Sequence, residues 1–167
     1  MKSDRGLIVG IIIATLVIVG GAILIFGKNT QAISRENVGT ASMTINKTLE
    51  DFGTMKSDEE RTAIFTITNT SASSVLRMWN VATSCDCTFA TVTIGEATKG
   101  EFNMSMHMNS DLKNWMGEIS PGQTATLNVI YRPKVMPVTG SVSRQVTFAT
   151  NDPKNSTVEV SIKANVL

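Results

Sequence analysis

Cys85 and Cys87 are the two cysteines of a 167-residue chain and stand two apart in the segment TSCDCT. In an extended strand, residues i and i+2 face one side with α-carbons roughly 6.6 Å apart, at about 3.3 Å per residue. That is near the upper end of the roughly 4.4–6.8 Å that a disulfide spans. Closing the ring therefore requires a local bend. Two thiolates that do not bond each other can instead grip one metal ion. The plainer alternatives are two small buried hydrophobes or an oxidised pair formed outside the cell.

The second chemical feature is EFNMSMHMN, where Met104, Met106 and Met108 alternate around His107, the chain's single histidine. If extended, this stretch lines three thioethers along one face and turns the imidazole to the other; in an irregular loop all four can converge. Soft sulfur with imidazole suits Cu(I) better than a hard cation. Methionine also fills irregular gaps, so the same cluster could simply cap one end of a domain. Zinc is less favoured, because two cysteines and one histidine make an incomplete structural site. Asp86 and Asp111 do not have the spacing of a calcium loop.

Catalytic patterns are sparse. A lone histidine in a methionine-rich segment gives no basis for a Ser-His-Asp triad, and GxSxG, HExxH and phosphate-cradling glycine loops do not occur in the sequence. Thiol–disulfide exchange through Cys85 or Cys87 is the chemistry left, although redox enzymes usually place CxxC at a helix N-terminus that lowers the thiol pKa. Trp79 lies in LRMWNVA with Leu76, Met78, Asn80 and Ala82 on one face and Arg77, Trp79 and Val81 on the other, so pattern alone leaves its facing open. Trp115, beside Met116, is expected to pack its segment against the domain.

The elements that must position these residues are strands. Ala63, Phe65 and Ile67 alternate with polar neighbours, as do Ala125, Leu127, Val129 and Tyr131, then Val142, Val146 and Phe148, and then Val158, Val160, Ile162, Ala164 and Val166. Turn chemistry separates them at residues 69–74, 120–122, 133–140 and 151–155, the last joining the final two strands as a hairpin. Strands are expected at 43–45, 52–55, 62–68, 76–82, 88–94, 124–131, 141–149 and 157–166. With no amphipathic helix between them, they imply an all-β, immunoglobulin-like antiparallel β-sandwich.

Ordered motifs then carry a resemblance: DFGTM at 51–55, FTITNTS at 65–71, TSCDCT at 83–88, ISPGQTATLNVIYRP at 119–133 and TNDPKNSTVEVSIKANV at 150–166. In order and spacing they resemble the bacterial DUF1573 family, related to the immunoglobulin-like domains of the Hydin and ASPM–SPD-2–Hydin group. The resemblance covers residues 48–166 and implies an extracytoplasmic β-sandwich, without supplying a reaction. Two departures stand out. An insert at about 95–117 stretches the step from Cys-x-Cys to the Pro-Gly turn, and Asp86 stands where the family commonly has glycine. In the family's topology the strand after Cys-x-Cys leads into that insert, so its Met/His cluster could fold back over Cys85 and Cys87. A soft-metal site of Cys85, Cys87, Met104, Met106, His107 and Met108 follows as a hypothesis, with Cu(I) as its ion.

Residues 7–26 (LIVGIIIATLVIVGGAILIF) contain no charge. Twenty helical residues at about 1.5 Å each span a hydrocarbon core of roughly 30 Å, whereas the apolar part of a signal peptide runs to about 7–15 residues. A transmembrane α-helix is expected there, after a cytoplasmic tail at 1–6 and before a polar linker at 27–41 and a domain at 42–167. Lys2 and Arg5 precede the span and only Lys28 closely follows it, so the positive-inside bias places the domain outside the cytoplasm. Lys plus Arg number 15 and Asp plus Glu 14; setting aside Lys2, Arg5 and Asp4 leaves 13 of each sign. Such a balanced surface is a poor match for nucleic acid. The expected role is therefore non-enzymatic: a single-pass, membrane-anchored binding or scaffolding module whose partner is another cell-envelope protein. Copper binding is the alternative, and disulfide exchange the more distant one.

Overall fold

The computed structural model describes Thr15 and residues 39–167. The chain divides into two units, Met1–Asn37 and Val38–Leu167, and the second is described here. The membrane span expected at 7–26 lies outside the described residues, among which no helix is long and apolar enough to cross a membrane.

Among the described residues ten strands form two five-stranded sheets: β1 (Met43–Ile45), β2 (Leu49–Met55), β3 (Arg61–Asn69), β4 (Leu76–Thr83), β5 (Thr88–Ile94), β6 (Ala97–Phe102), β7 (Met116–Ile119), β8 (Thr124–Tyr131), β9 (Gly140–Thr150) and β10 (Thr157–Val166). One sheet runs β1-β3-β8-β5-β6 and the other β2-β10-β9-β4-β7. The alternating sequence pattern is realised directly. In β3 the residues Ala63, Phe65 and Ile67 are buried, and in β10 so are Val158, Val160, Ile162, Ala164 and Val166. Between the sheets Phe65, Leu127 and Val92 of one layer share a single core with Met78, Phe148 and Ile162 of the other. Each such large side chain contributes about 1.5–3 kcal/mol when taken from water.

Three expectations need correction. The sandwich is not purely antiparallel, because β2 joins β10 in parallel, Leu49 opposite Ser161 and Met55 opposite Val166. The 95–117 insert, where no strand was expected, contributes β6, paired with β5, and the start of β7, paired with β4, and so forms an edge of each sheet. A helical turn, Ser110–Lys113, lies between them, with Asn109 capping it by accepting the Leu112 N–H at 3.0 Å. Finally, the two faces of β4 exchange partway along. Asn80 adopts φ 53°, and the pairing with β9 shifts between Trp79 and Ala82. Leu76 and Met78 point inward before this bulge and Val81 and Thr83 after it, while Asn80 faces solvent. Asparagine is one of the few side chains that tolerates this left-handed backbone.

Trp115 does pack the insert onto the sandwich. Its ring lies 5.2 Å from that of buried Phe102. Gly117 makes room for it: a Cβ there would sit 2.7 Å from the Trp115 ring and from Ile94 Cδ1.

Candidate functional site

The described chain enters at one pole of the sandwich. Ala41 N–H donates to the Asn151 carbonyl (3.2 Å), Asn151 Nδ2 donates to the Gly39 carbonyl, and Met43 N–H donates to Asp152 Oδ2 (2.9 Å). Buried Asp152 also accepts from Lys154 N–H and Asn155 Nδ2. Burial pushes its carboxyl up, but the hydrogen bonds from Asn155, Lys154 and Met43 outweigh it and hold the group below its ordinary range.

Cys85 and Cys87 lie at the opposite pole, in the connection from β4 to β5 that crosses between the sheets. They are bonded to each other, with α-carbons 5.2 Å apart. The expectation that such a pair bonds only with difficulty assumed strand geometry. The backbone instead turns between Thr83 and Thr88, with Thr83 Oγ1 donating to the Cys85 carbonyl (3.0 Å) and Thr88 N–H returning to that same carbonyl (3.0 Å).

Part of the insert does fold over this turn. Asn103 Nδ2 donates to the carbonyls of Asp86 (3.2 Å) and Thr88 (3.0 Å), and His107 Nδ1 lies 2.5 Å from Asp86 Oδ1. Thus Asp86, where glycine is common in the resembling family, is the residue that His107 meets. The methionines diverge: Met104 is half-buried, Met106 is 71% exposed and Met108 is buried. In this oxidised form the two cysteines offer no thiolate, and among the described residues no group of three or more His, Cys, Asp or Glu side chains could hold a metal ion.

Two further residues belong to the site. Met136 follows a 3-10 turn at Pro133–Val135 and brings its Sδ to 3.7 Å from Cys85 Sγ. Arg144 of β9 donates from Nε to Cys87 Sγ at 3.2 Å, and its guanidinium stands 6.0 Å from the Tyr131 ring. These contacts span 51 and 57 residues of sequence. Strand register places Arg144, but the loop around Met136 (PKVMPV) carries no periodic signal. Among the described residues the buried Tyr131 hydroxyl has no hydrogen-bond partner, and burial raises its pKa despite the opposing charge of Arg144.

A charged clamp fixes the surrounding loops. Arg132 donates to Glu60 (2.6 Å) and in bidentate fashion to Glu101 (2.8 and 2.7 Å), with its guanidinium 4.5 Å above the Phe89 ring. The carboxylates hold the Arg132 pKa above its usual value, and Arg132 lowers that of Glu101. Three separate chain segments meet at this one cation.

Fold and pole together define an all-β sandwich domain whose distinctive side chains gather at the end away from chain entry. Residues 43–118 match the model of the DUF1573 family, described as a protein of unknown function. The match begins at β1 and ends within β7, so the last three strands follow it. No curated protein matches the sequence. Among solved structures, a protein of unknown function from Porphyromonas gingivalis W83 is similar at 22% identity and TM-score 0.54, over 82% of this chain and 51% of that one. This chain therefore spans about half the length of that relative, and the likeness is one of fold. A family 123 glycoside hydrolase from Clostridium perfringens matches at 9% identity and TM-score 0.50, over 77% of this chain and 27% of that one. The ASH/PapD-like domain 7 of human CEP192 matches at 9% identity and TM-score 0.48, covering 77% and 87% of the two chains.

Proposed function

We propose that this protein is a non-enzymatic binding or scaffolding module, anchored through residues 7–26 in the cytoplasmic membrane and displayed on its outer face. Its contact surface is the pole around the Cys85–Cys87 turn, and its partner is another protein of the cell envelope. One observation carries the reading. At the pole opposite chain entry, Met106, Val135 and Met136 are 71%, 52% and 53% exposed, apolar side chains that the core leaves in solvent. They come from two loops, one tied down through His107 and Asp86 and the other through Arg132. Exposed apolar side chains at one pole, beside paired charges, suit a protein contact.

The test compares two variants of the full chain in the cells that make it: Val135→Asp with Met136→Asp at the pole, and Leu49→Asp with Ile64→Asp on the flanks of the sandwich. Recovery of the same associated protein by the wild type and the flank variant, with loss in the pole variant, supports the assignment. Equal recovery by both variants rejects it. Retention in the membrane after alkaline carbonate extraction checks the anchor.

Soft-metal binding is a second reading, favoured by the thioether of Met136 beside Cys85. After reduction, Cys85, Cys87 and Met136 would offer three sulfur donors to Cu(I). Titration of the reduced chain against a competing chelator decides it. Tight binding that is lost in the Cys85→Ser, Cys87→Ser variant establishes copper handling, and absence of competition removes it.

A further inference from the structure

The Cys85–Cys87 bond is a weak candidate for a structural staple. Its cysteines are two residues apart, so the cross-link removes little freedom from an unfolded chain. The turn it closes is already held by Thr83, Asn103 and the Thr88 N–H. Its surroundings are unequal on the two sulfurs. Cys87 is fully buried, while Cys85 retains slight exposure, accepts the Cys87 N–H at 3.2 Å and has the thioether of half-exposed Met136 at 3.7 Å, with no cation among these contacts. Arg144 directs its Nε–H at the inner sulfur, and among the described residues it has no carboxylate partner; its other hydrogen bond goes to the Ser143 carbonyl. An unpaired guanidinium is poorly used against a neutral disulfide sulfur. It is well placed for a thiolate, to which a charge-assisted hydrogen bond is stronger.

We infer that Cys85–Cys87 is an exchangeable disulfide that accepts electrons from an incoming dithiol, with Cys85 as the sulfur attacked and Cys87 as the leaving group held by Arg144. A thiolate of the dithiol attacks Cys85 Sγ once Met136 swings aside. A bond forms between the two, the Cys85–Cys87 bond breaks, and its electron pair departs on Cys87 Sγ. The second thiol of the same reductant then attacks its own sulfur in the mixed disulfide and releases Cys85. The reductant leaves as a disulfide, and the chain has gained two electrons and two protons. The charged groups near this centre are Arg144 from β9 and the Asp86 carboxylate within the turn, which is engaged by His107; the neutral phenol of Tyr131 from β8 lies beside Arg144. Reduction would put a thiol at Cys85 beside Met136, a side chain of the surface proposed for binding, so the exchange would change the chemistry of that surface while the turn keeps its hydrogen bonds. The chemistry itself stands or falls independently of any partner.

The test uses the full chain in detergent micelles, with a metal chelator present and no denaturant. Reduction by millimolar dithiothreitol is followed by acid quench, maleimide trapping and mass spectrometry. A parallel reaction with cysteamine traps the mixed disulfide, whose position is read from fragment ions. The expected results are reduction of the folded chain, cysteamine on Cys85, and reduction slowed about three- to tenfold by Arg144→Gln, because a less stabilised thiolate leaves more slowly. Arg144→Lys, which keeps the charge, retains most of the rate, and Met136→Ala increases it. A bond that resists reduction until the chain unfolds overturns the inference. So does cysteamine found on Cys87, or a rate unchanged in Arg144→Gln. If Arg144→Gln fails to fold, the trapping position and the Lys variant still decide.

Discussion

Replacing Asp152 by asparagine changes one oxygen for an amide nitrogen at the point where the chain enters the sandwich. Asp152 is 3% exposed and accepts three hydrogen bonds: Met43 N–H (2.9 Å) and Asn155 Nδ2 (2.7 Å) on Oδ2, and Lys154 N–H (2.9 Å) on Oδ1. An asparagine oxygen in the Oδ2 place preserves two of these without their charge, and sets its amide nitrogen against the Lys154 N–H. One charge-assisted bond is worth about 1.5–3 kcal/mol. With weakening of the other two, the expected loss is about 2–4 kcal/mol at pH 7. The pH dependence follows from the depressed carboxyl. Its stabilisation is fully present above the unfolded value of about 3.9 and is lost as pH falls through the lower folded value. The difference between wild type and Asp152→Asn should therefore hold from pH 7 to about 5 and shrink below about 4. Urea unfolding across that range measures it, and amide exchange at Met43 should be faster in the variant. A difference under about 0.5 kcal/mol at pH 7, or one that persists undiminished to pH 3, would refute the reasoning.

Other substitutions probe the insert, the clamp and the disulfide. Gly117→Ala places a methyl 2.7 Å from Trp115 and Ile94; overpacking of this kind costs about 1–3 kcal/mol, visible as a lower urea midpoint with altered tryptophan fluorescence. Arg132→Ala should cost about 1–2 kcal/mol, the partly exposed pairs being discounted for solvent, and the loss should diminish at high salt. Serine at both Cys85 and Cys87 should lower stability by only about 1–2 kcal/mol, since the closed loop is so short; a loss above about 4 kcal/mol would show the bond to be a main support of the fold.

The alternating runs of β3, β8 and β10 were readable because each strand buries one face and leaves the other in solvent, and the bounds expected for the strands at 43–45, 88–94, 124–131 and 157–166 are those observed. The missed strands, β6 and β7, are edges: ATKGEF buries only its final phenylalanine, and MGEI is four residues long. Pairing with β5 and β4 defines them, and pairing partners do not show in local periodicity. The parallel addition of β2 is hidden for the same reason. At the site, the sequence placed the two cysteines side by side and let the insert fold over them, but the turn that bonds them depends on hydrogen bonds from Thr83 and Thr88. Met136 and Arg144 approach the sulfurs from distant strands and loops, beyond the reach of any local motif.

The measurement that addresses the binding surface most directly is positional photo-crosslinking in the cells that make the protein, with a photoreactive residue placed in turn at Met106, Met136, Leu49 and Ile64 of the full chain. All four positions are exposed, and only the first two lie at the Cys85–Cys87 pole. A discrete adduct to one envelope protein from positions 106 and 136, absent at 49 and 64, is the expected result. Adducts confined to positions 49 or 64, or none at the pole, would contradict it.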